Sequence, residues 1–437
     1  MIAPPRPPVI IVGAGLAGLA CARELGLDSL LLEREAMVGG LSRSLQRSGF
    51  WFDMTGHWLH LSNPGIERTV HALMGDELVA VQRRAAIYSH GITTPYPFQA
   101  NTYGRPADVV AECVLGYFRA REQVARGEAR PLRSFDDYIR RELGDGFARH
   151  FMVPYNTKIW TVPPALMDHA WCERFVPRPT PEDVVQGALT ASGAGRALGY
   201  NSRFWYPRAG GMGRLAQRLQ QSLTGEVRTG VAATRVDWRQ RIVTTSTGES
   251  LAYHVLVSTM PLDDLVGMLV DPPATVVAAA HQLAAASVTY WDIGLSRPNG
   301  PADAHWTYYP DPEIPFYRVG SPSAALPALA PGRTLCVEVS HRRGTAVTVT
   351  EHEIMQALQR VGLLAADETP VVVARNTIAC AYVIMDHAYG AARATIRTWL
   401  QSQRILAVGR YGGWGYDSME GALLDGQKAA ATIAEFG

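Results

Sequence analysis

The stretch PVIIVGAGLAGLACARELGLDSLLLEREAMVGG, at residues 8–40, decides the fold class of this chain. Its pattern predicts a short buried strand at residues 9–12, a GxGxxG turn, a helix that ends at Leu25 and a second buried strand that ends on Glu33. In such a βαβ unit the glycines allow a tight turn, a close approach of backbone to pyrophosphate, and close packing of helix on strand. The stretch predicts a dinucleotide-binding α/β domain, and a glycine-rich turn in an ordinary α/β domain is the alternative.

The same unit predicts where the dinucleotide makes its contacts. Glu33 stands 20 residues after Gly13, where a carboxylate accepts a hydrogen bond from a ribose 2′-hydroxyl and repels a 2′-phosphate. The N–H groups at the start of the helix face the phosphates. We therefore expect cofactor contacts at Gly13, Gly15, Leu16, Ala17, Gly18 and Glu33.

A second pair of glycines extends the predicted cofactor site. After Arg34 the chain continues with VGGLS at residues 38–42, and two adjacent glycines let the backbone pass close to another part of an extended cofactor. NAD dehydrogenases rarely carry this element, which resembles that of the glutathione-reductase-type flavoproteins of the amine-oxidase kind. We therefore expect FAD and not NAD, with further contacts at Arg34, Gly39, Gly40, Leu41 and Ser42.

The composition limits the partners of the chain. Its 437 residues, formal charge of +1 and 19% of charged residues predict two or three globular domains without an electrostatic footprint for nucleic acid or an anionic membrane. No apolar run reaches the roughly 18 residues of a membrane span, and no hydrophobic segment precedes the first strand, so we expect a cytoplasmic protein without a signal peptide. Five scattered cysteines predict reduced thiols and no metal site.

The rest of the chain changes between helical and strand patterns. We expect the first part of an FAD-binding domain at residues 1–100, a helical insertion at 101–195, strands that return to the FAD domain at 196–270, an antiparallel-sheet substrate domain at 271–380, and the end of the FAD domain at 381–437. Three local expectations are an extended segment at residues 95–99, a strand at residues 227–237, and a loop from Arg410 to Tyr416.

Aromatic residues and arginines are interleaved in the predicted insertion and substrate domain. The clearest segments are NTKIW at residues 156–160 and WTYYPDPEIPFYR at residues 306–318. Arginine forks bind phosphate oxygens, tyrosine hydroxyls donate to them, and aromatic faces stack on a base or a sugar. Each such residue alone is more often core packing or a surface ion pair, but beside a flavin site they indicate a nucleotide diphosphate ligand.

These motifs resemble those of the UDP-galactopyranose mutase family, in particular its eukaryotic type. GAGLAGLACARELG and VGGLS are common to many flavoproteins, whereas PYPFQ, FMVPYNTKIWTVP, NSRFWYPRAGG, WTYYPDPEIPFYR and GRYGGWGY are particular to the mutases and keep their order. The resemblance implies interconversion of the pyranose and furanose forms of a nucleotide-diphosphate hexose without net redox change. It also implies that N5 of reduced FAD is the nucleophile. NAD(P)H is one candidate for the reductant, and a homo-oligomer is one candidate for the oligomeric state.

The resemblance implies a role for individual residues. For the diphosphate it implies a clamp and polar donors at Arg174, Arg318, Tyr308, Tyr389, Tyr416 and Asn201. For the base, the ribose and the sugar it implies Phe98, Gln99, Phe151, Asn156, Trp160 and Trp306. Near the flavin it implies a mobile histidine loop and the last strand–helix unit, with contacts at Gly56, His57, Gly409, Arg410, Ser418 and Met419. The catalytic roles fall to Arg174, Arg318, His57 and Arg410.

Glu420 departs from the pattern of the family, whose eukaryotic type has an asparagine there. A carboxylate beside a diphosphate repels it unless the carboxylate is turned away. We therefore expect either that Glu420 turns to an arginine such as Arg410, or that the ligand sits differently, which leaves a GDP-sugar open beside UDP-galactose. Residues 208–213 also differ from the usual glycine-rich run of the family.

Two other functions stay open. An amine-oxidase-like FAD oxidase or desaturase shares the generic motifs, but its substrate walls would be apolar and aromatic, without an arginine clamp. A non-catalytic sugar-nucleotide or FAD-binding protein would bind both ligands and show no exchange between the anomeric carbon and the diphosphate.

Overall fold

A computed structural model describes residues 8–191, 202–298 and 304–436. The strands in these residues are β1 (Val9–Val12), β2 (Ser29–Glu33), β3 (Ser44–Arg47), β4 (Phe50–Asp53), β5 (Leu78–Gln82), β6 (Ala85–Ser89), β7 (Ile92–Pro95), β8 (Arg203–Pro207), β9 (Glu226–Thr229), β10 (Ala233–Asp237), β11 (Ile242–Thr245), β12 (Ser250–Ala252), β13 (Leu256–Ser258), β14 (Ala284–Leu295), β15 (Trp306–Tyr308), β16 (Arg318–Gly320), β17 (Arg333–Arg342), β18 (Val372–Ile384) and β19 (Ile405–Ala407). The helices are α1 (Leu16–Leu25), α2 (Pro64–Met74), α3 (Ala107–Ala125), α4 (Phe135–Leu143), α5 (Asp145–Phe147), α6 (Val153–Trp160), α7 (Pro181–Leu189), α8 (Gly213–Gln221), α9 (Leu262–Met268), α10 (Ala274–His281), α11 (Pro322–Ala325), α12 (Glu351–Arg360), α13 (Tyr389–Ser402), α14 (Gly409–Gly412) and α15 (Met419–Glu435).

A five-stranded parallel sheet has the order β19-β13-β1-β2-β9. Its strands come from both ends and from the middle of the sequence, and β1 pairs in parallel with both β13 and β2. Successive residues of β1 face opposite sides: Ile11 packs into a core with α1 and α15, and Ile10 packs into a core with α9, α10 and α13. Because both faces are covered by helices, the strand is apolar along its whole length. The predicted α/β class is confirmed.

A seven-stranded sheet has the order β18-β14-β17-β16-β15-β6-β7. Its pairs are antiparallel except that β15 and β6 run parallel. The strands β14 and β18 have 12 and 13 residues, whereas the sequence pattern predicts strands only at residues 288–295 and 370–374. The strands β6 and β7, which lie in the predicted first part of the FAD domain, add an edge to this sheet.

Helices α3 to α7 lie in the chain between β7 and β8. The helix α7 begins after Thr180, whose side chain accepts from the Asp183 N–H while the Asp183 side chain accepts from Thr180 N–H, and Pro181 takes the first helical position. A π-helical segment at Ala148–Met152 joins α5 to α6, and such segments often lie at functional sites.

Three local predictions are wrong. The segment at residues 95–99 is not extended throughout, because a 3₁₀ helix forms at Phe98–Ala100. Residues 227–237 form two strands of different sheets, since Gly230 has a φ of +72° and turns the chain between β9 and β10. The chain after Arg410 continues a short helix, in which the Gly413 N–H donates to the Gly409 oxygen at 2.7 Å.

Two further observations, on membrane spans and on metal sites, concern the described residues only. None of their helices is both long and apolar enough to cross a membrane. No group of histidine, cysteine, aspartate and glutamate side chains within residues 8–191, 202–298 and 304–436 is arranged to hold a metal ion.

Candidate active site

Two glycine elements lie side by side at the carboxyl end of the parallel sheet. The Gly39 N–H donates to the Ala14 oxygen at 2.7 Å, and a Cβ atom on Gly40 would lie 3.1 Å from the Cα atom of Gly15. A side chain at Gly40 would therefore crowd the neighbouring backbone. The bare backbone at the N-terminus of α1 is the place where a pyrophosphate binds in this type of fold.

The last strand–helix unit reaches the same groove. Gly409 has a φ of +75°, and a Cβ atom there would lie 2.8 Å from the Cβ atom of Ala17 in α1. Ser418 then caps α15 by accepting a hydrogen bond from the Gly421 N–H. Backbone from both ends of the chain thus meets at the start of α1, and this arrangement fits an extended dinucleotide.

The Glu33 carboxylate is buried at the end of β2. It accepts hydrogen bonds from the Ala14 N–H at 2.7 Å and from the Glu35 N–H at 3.0 Å. These contacts hold the carboxylate against the GxGxxG turn, where a ribose hydroxyl is expected. The Arg34 side chain is 78% exposed and pairs with Glu35, so its contact with a cofactor stays a prediction.

The imidazole of His57 is neutral at physiological pH. Its Nδ1 atom is buried and has no hydrogen-bond partner. Burial, and after it the positive charges of Arg410 and Arg318, lower the pKa of His57 to about 4. The charges of both guanidinium groups therefore favour the neutral form of this imidazole.

Glu420 does not turn to Arg410, and that expectation is wrong. Its carboxylate is buried and accepts hydrogen bonds from the N–H groups of Ser62 and Asn63, each at 2.6 Å, and from the Ser62 hydroxyl at 2.7 Å. Arg410 donates to backbone oxygens of two other segments at 3.1 Å. Glu420 therefore fastens the start of α15 to the chain just after the histidine loop, and its contact with substrate stays a prediction.

The two arginines converge on Tyr382 of β18. The Arg318 Nη2 atom lies 3.5 Å from the Tyr382 hydroxyl, and the Arg410 guanidinium lies 5.3 Å from the centre of the Tyr382 ring. Arg410 also lies 4.9 Å from the ring of Tyr416, and the Trp160 ring packs 5.5 Å from both tyrosine rings. The sequence analysis missed Tyr382, because no motif marks it and the predicted strand ended at residue 374.

Arg318 is held by the buried carboxylate of Glu338. Glu338 accepts hydrogen bonds from the Nε and Nη2 atoms of Arg318 and a third from the Tyr317 hydroxyl. Burial alone lowers the pKa of Arg318, but the charge of Glu338 and the nearby tyrosines raise it well above its ordinary value. The guanidinium is therefore a fixed positive charge in the site. Glu338 was not predicted, since a lone glutamate in a strand gives no signal.

Three aromatic rings form a continuous stack beside α6. The rings of Phe98 and Phe151 are 5.0 Å apart at 7°, and those of Phe151 and Tyr155 are 5.4 Å apart at 6°. The Arg105 guanidinium covers the outer face of Phe98 at 4.5 Å. The structure thus joins the predicted base-binding residues Phe98 and Phe151 and adds Tyr155, which helical spacing from Phe151 could have identified.

The two amides predicted beside the base have different surroundings. Asn156 is used within its helix, because its Nδ2 atom donates to the Met152 oxygen at 2.7 Å and its Oδ1 atom accepts from Trp160 Nε1 at 3.2 Å. Gln99 donates to the Pro177 oxygen at 3.2 Å, while its Oε1 atom is buried without a partner. A buried acceptor without a donor is costly, so Gln99 is the amide that is free to accept from a ligand.

The predicted sugar-side residue Trp306 lies next to an arginine. The Arg83 guanidinium lies 4.8 Å from the ring of Trp306 and 4.7 Å from that of Tyr96. The Trp306 Nε1 atom is buried without a partner. Tyr308 packs against Tyr96 at 5.5 Å and against Tyr155 at 5.2 Å. These ring contacts connect the sugar side to the aromatic stack.

Three further residues were predicted as diphosphate ligands. Arg174 ends a 3₁₀ helix at Cys172–Arg174, and its side chain lies outside the described part of the structure. Asn201 lies outside the described residues altogether. Tyr389 is the first residue of α13, with the Arg393 guanidinium 5.9 Å from its ring, and its contact with substrate stays a prediction.

Comparisons with known proteins agree with this fold. A crystal structure of reduced UDP-galactopyranose mutase shares 26% sequence identity and a TM-score of 0.89, and the match covers 99% of this chain and 95% of that chain. A candidate protoporphyrinogen oxidase from Exiguobacterium sp. 255-15 has 17% identity, a TM-score of 0.72 and 99% coverage of each chain. A double mutant of putrescine oxidase has 18% identity, a TM-score of 0.69 and coverage of 98% and 99%. At 17% and 18% identity, the similarity to these two oxidases shows the fold alone.

The sequence profile of the flavin containing amine oxidoreductase family matches residues 16–434, and the chain belongs to this family.

Proposed function

We propose that this protein is a flavin-dependent mutase that interconverts the pyranose and furanose forms of a nucleotide-diphosphate hexose. The observation that carries the proposal is the convergence of Arg318 and Arg410 on Tyr382, beside the rings of Trp160 and Tyr416. Arg410 adds a positive charge here, and Arg318, whose own charge is paired with Glu338, adds guanidinium donors, so both suit a diphosphate that carries two negative charges. The similarity to UDP-galactopyranose mutase supports a UDP-hexose as the first substrate to test.

We infer that the cofactor is FAD. The paired backbones of Gly15 and Gly40, the approach of Gly409 to α1, and the buried carboxylate of Glu33 suit its pyrophosphate and ribose. When bound and reduced, the flavin supplies the nucleophile for the anomeric carbon of the sugar.

The side chains then bind and orient the substrate. The Arg318 guanidinium, fixed by Glu338, stabilises the negative charge that develops on the departing diphosphate. The Tyr155 ring, at the end of the aromatic stack, offers a stacking surface for a base, and the free Gln99 oxygen accepts a hydrogen bond from it. The neutral His57 has a ring nitrogen without a partner for a sugar or flavin polar group.

An amine-oxidase-like oxidase or desaturase is the second candidate. It is supported by the family match and by the Tyr382 and Tyr416 rings, which lie 6.4 Å apart. A cationic amine between these rings would be repelled by the Arg410 guanidinium, 4.9 Å from the Tyr416 ring. This charge favours an anionic substrate over an amine.

The deciding experiment is a turnover assay with purified, FAD-loaded protein. Dithionite-reduced protein is incubated with UDP- and GDP-hexoses in their pyranose or furanose forms, and the products are separated by chromatography. We expect ring interconversion only with reduced protein and no stoichiometric use of reductant. Equal turnover by oxidised protein, or oxygen consumption with an amine substrate and no ring interconversion, would overturn the proposal.

A further inference from the structure

Lys158 joins α6 to the loop between β15 and β16. Its Nζ atom donates to the backbone oxygens of Tyr309 at 2.9 Å, Asp311 at 2.8 Å and Phe316 at 3.1 Å. Three hydrogen bonds use all the donors of an ammonium group. One side chain of α6 therefore holds this loop, residues 309–317, at three points near its two ends.

Each partner of this contact carries part of the candidate site. The helix α6 contains Asn156 and Trp160 and presents Tyr155 to the aromatic stack. The loop connects Tyr308, the last residue of β15, to Arg318, the first residue of β16. The contact thus links the predicted nucleoside side of the site to the predicted diphosphate side.

The residue type at this position is informative. The chain has only two lysines, Lys158 and the exposed Lys428, among 41 basic residues. A planar guanidinium directs its donors within one plane, whereas an ammonium donates in three directions to three separate oxygens. In a chain that uses arginine almost everywhere, the three converging carbonyl groups call for lysine here.

The far side of the loop is fixed independently. The Asp311 carboxylate accepts hydrogen bonds from the Ser89 hydroxyl at 3.0 Å and the His90 N–H at 2.9 Å, both at the turn between β6 and β7. The Lys158 ammonium group ties the loop to α6 through three charge-assisted hydrogen bonds. The removal of this ammonium group would therefore release the loop from α6 without detaching it from the sheet.

We propose that Lys158 is a positioning residue that sets Arg318 and Tyr308 relative to the nucleoside-binding helix, so that one nucleotide diphosphate contacts both sides at once. The inference rests on the proposed function. It assigns Lys158 no contact with the substrate, and it predicts that the residue acts through Arg318.

A double-mutant cycle tests this coupling. We would measure the dissociation constant of UDP by calorimetry for FAD-loaded wild type, Lys158→Met, Arg318→Ala and the double variant, with Lys428→Met as the matched control. We expect Lys158→Met to weaken UDP binding about tenfold in the wild-type background and less than twofold in the Arg318→Ala background, because neighbouring residues that act together are not additive. Equal losses in both backgrounds would overturn the inference.

Hydrogen exchange gives a readout that needs no ligand. The Tyr309 N–H donates to the Tyr317 oxygen at 2.9 Å, and the Tyr317 N–H donates to the Glu338 oxygen at 3.1 Å. We expect both amides to exchange faster in Lys158→Met, with Lys158→Arg intermediate and Lys428→Met unchanged. Unchanged exchange in Lys158→Met would overturn the inference. Wild-type protein that binds neither UDP nor uridine would instead overturn the proposed function, and with it the coupling.

Discussion

Arg318 and Glu338 form a two-point ion pair inside the candidate site, with Nε to Oε1 at 2.8 Å and Nη2 to Oε2 at 2.7 Å. The Glu338 side chain is only 1% exposed, and that of Arg318 is 19% exposed. The pair therefore holds the guanidinium in one orientation before any ligand arrives. Preorganisation of this kind lowers the cost of ordering a clamp on binding.

The first prediction concerns the charge of Arg318. Replacement by alanine removes a charge-assisted contact from the departing diphosphate, which costs about 2–4 kcal/mol, or roughly 30- to 1,000-fold in turnover. Arg318→Lys should recover little activity, because an ammonium group cannot reproduce the planar fork on Glu338. Flavin absorbance should be unchanged in both variants, since Arg318 belongs to the substrate side. Wild-type kinetics in Arg318→Ala would place the clamp elsewhere.

The second prediction concerns the orientation of that charge. Glu338→Gln keeps the shape of the side chain but replaces one acceptor of the two-point pair with a donor. We expect kcat/KM to fall about tenfold, less than in Arg318→Ala, because the guanidinium stays in the pocket with a looser orientation. Steady-state kinetics on protein of equal flavin content would show this difference. A loss in Glu338→Gln as large as that in Arg318→Ala would mean that Glu338 does more than orient its partner.

The third prediction concerns Glu420. Its buried side chain accepts three hydrogen bonds from Ser62 and Asn63, so Glu420→Gln should lower the free energy of unfolding by about 1–3 kcal/mol. The dissociation constant of UDP should change less than twofold, because the carboxylate is already engaged away from Arg410. Urea unfolding and calorimetry measure the two quantities, and Ser62→Ala, which removes one of the three donors, serves as the milder control. A change in UDP affinity above fivefold would place Glu420 at the ligand.

Local patterns of the sequence predicted most of the secondary structure. The bounds of β1 and the ends of α1 and β2 follow from the pattern of apolar residues and from glycine signals, which act within a few residues. The pairings inside the site were not predictable in this way. Glu420 and Ser62 are 358 positions apart, and the role of Tyr382 depends on three segments that meet only in the folded chain.

The difference between local sequence patterns and tertiary contacts also explains why some of the predictions were wrong. Gly230 reads as a tolerable interruption in a strand pattern, but its positive φ separates β9 and β10 into different sheets. Gln99 and Asn156 are both amides beside the predicted base, and only the structure shows that Asn156 is used within its own helix. Residue type therefore predicted the chemistry of the pocket, while tertiary packing decided which atoms are free.

The last prediction concerns the pH dependence of stability at His305. The side chain is 0% exposed, its Nδ1 atom accepts from the Arg84 N–H at 3.2 Å, and its Nε2 atom is buried without a partner. Burial, and after it the charges of Arg84 and Arg83, lower the pKa of His305 to about 4. An unfolded histidine has a pKa of about 6.5. Between these two values the unfolded state binds a proton that folded His305 does not bind.

The free energy of unfolding should therefore decrease as the pH falls from about 6.5 to 4, and His305 should account for about 1–2 kcal/mol of this decrease at pH 5. His305→Asn keeps an acceptor for the Arg84 N–H but cannot be protonated in this range. Urea unfolding at pH 7 and pH 5 should give a smaller decrease for His305→Asn than for the wild type. His57 and His60, whose pKa values are also lowered to about 4, are present in both proteins, so the difference isolates His305. Equal decreases in the two proteins would show that His305 becomes protonated within the fold.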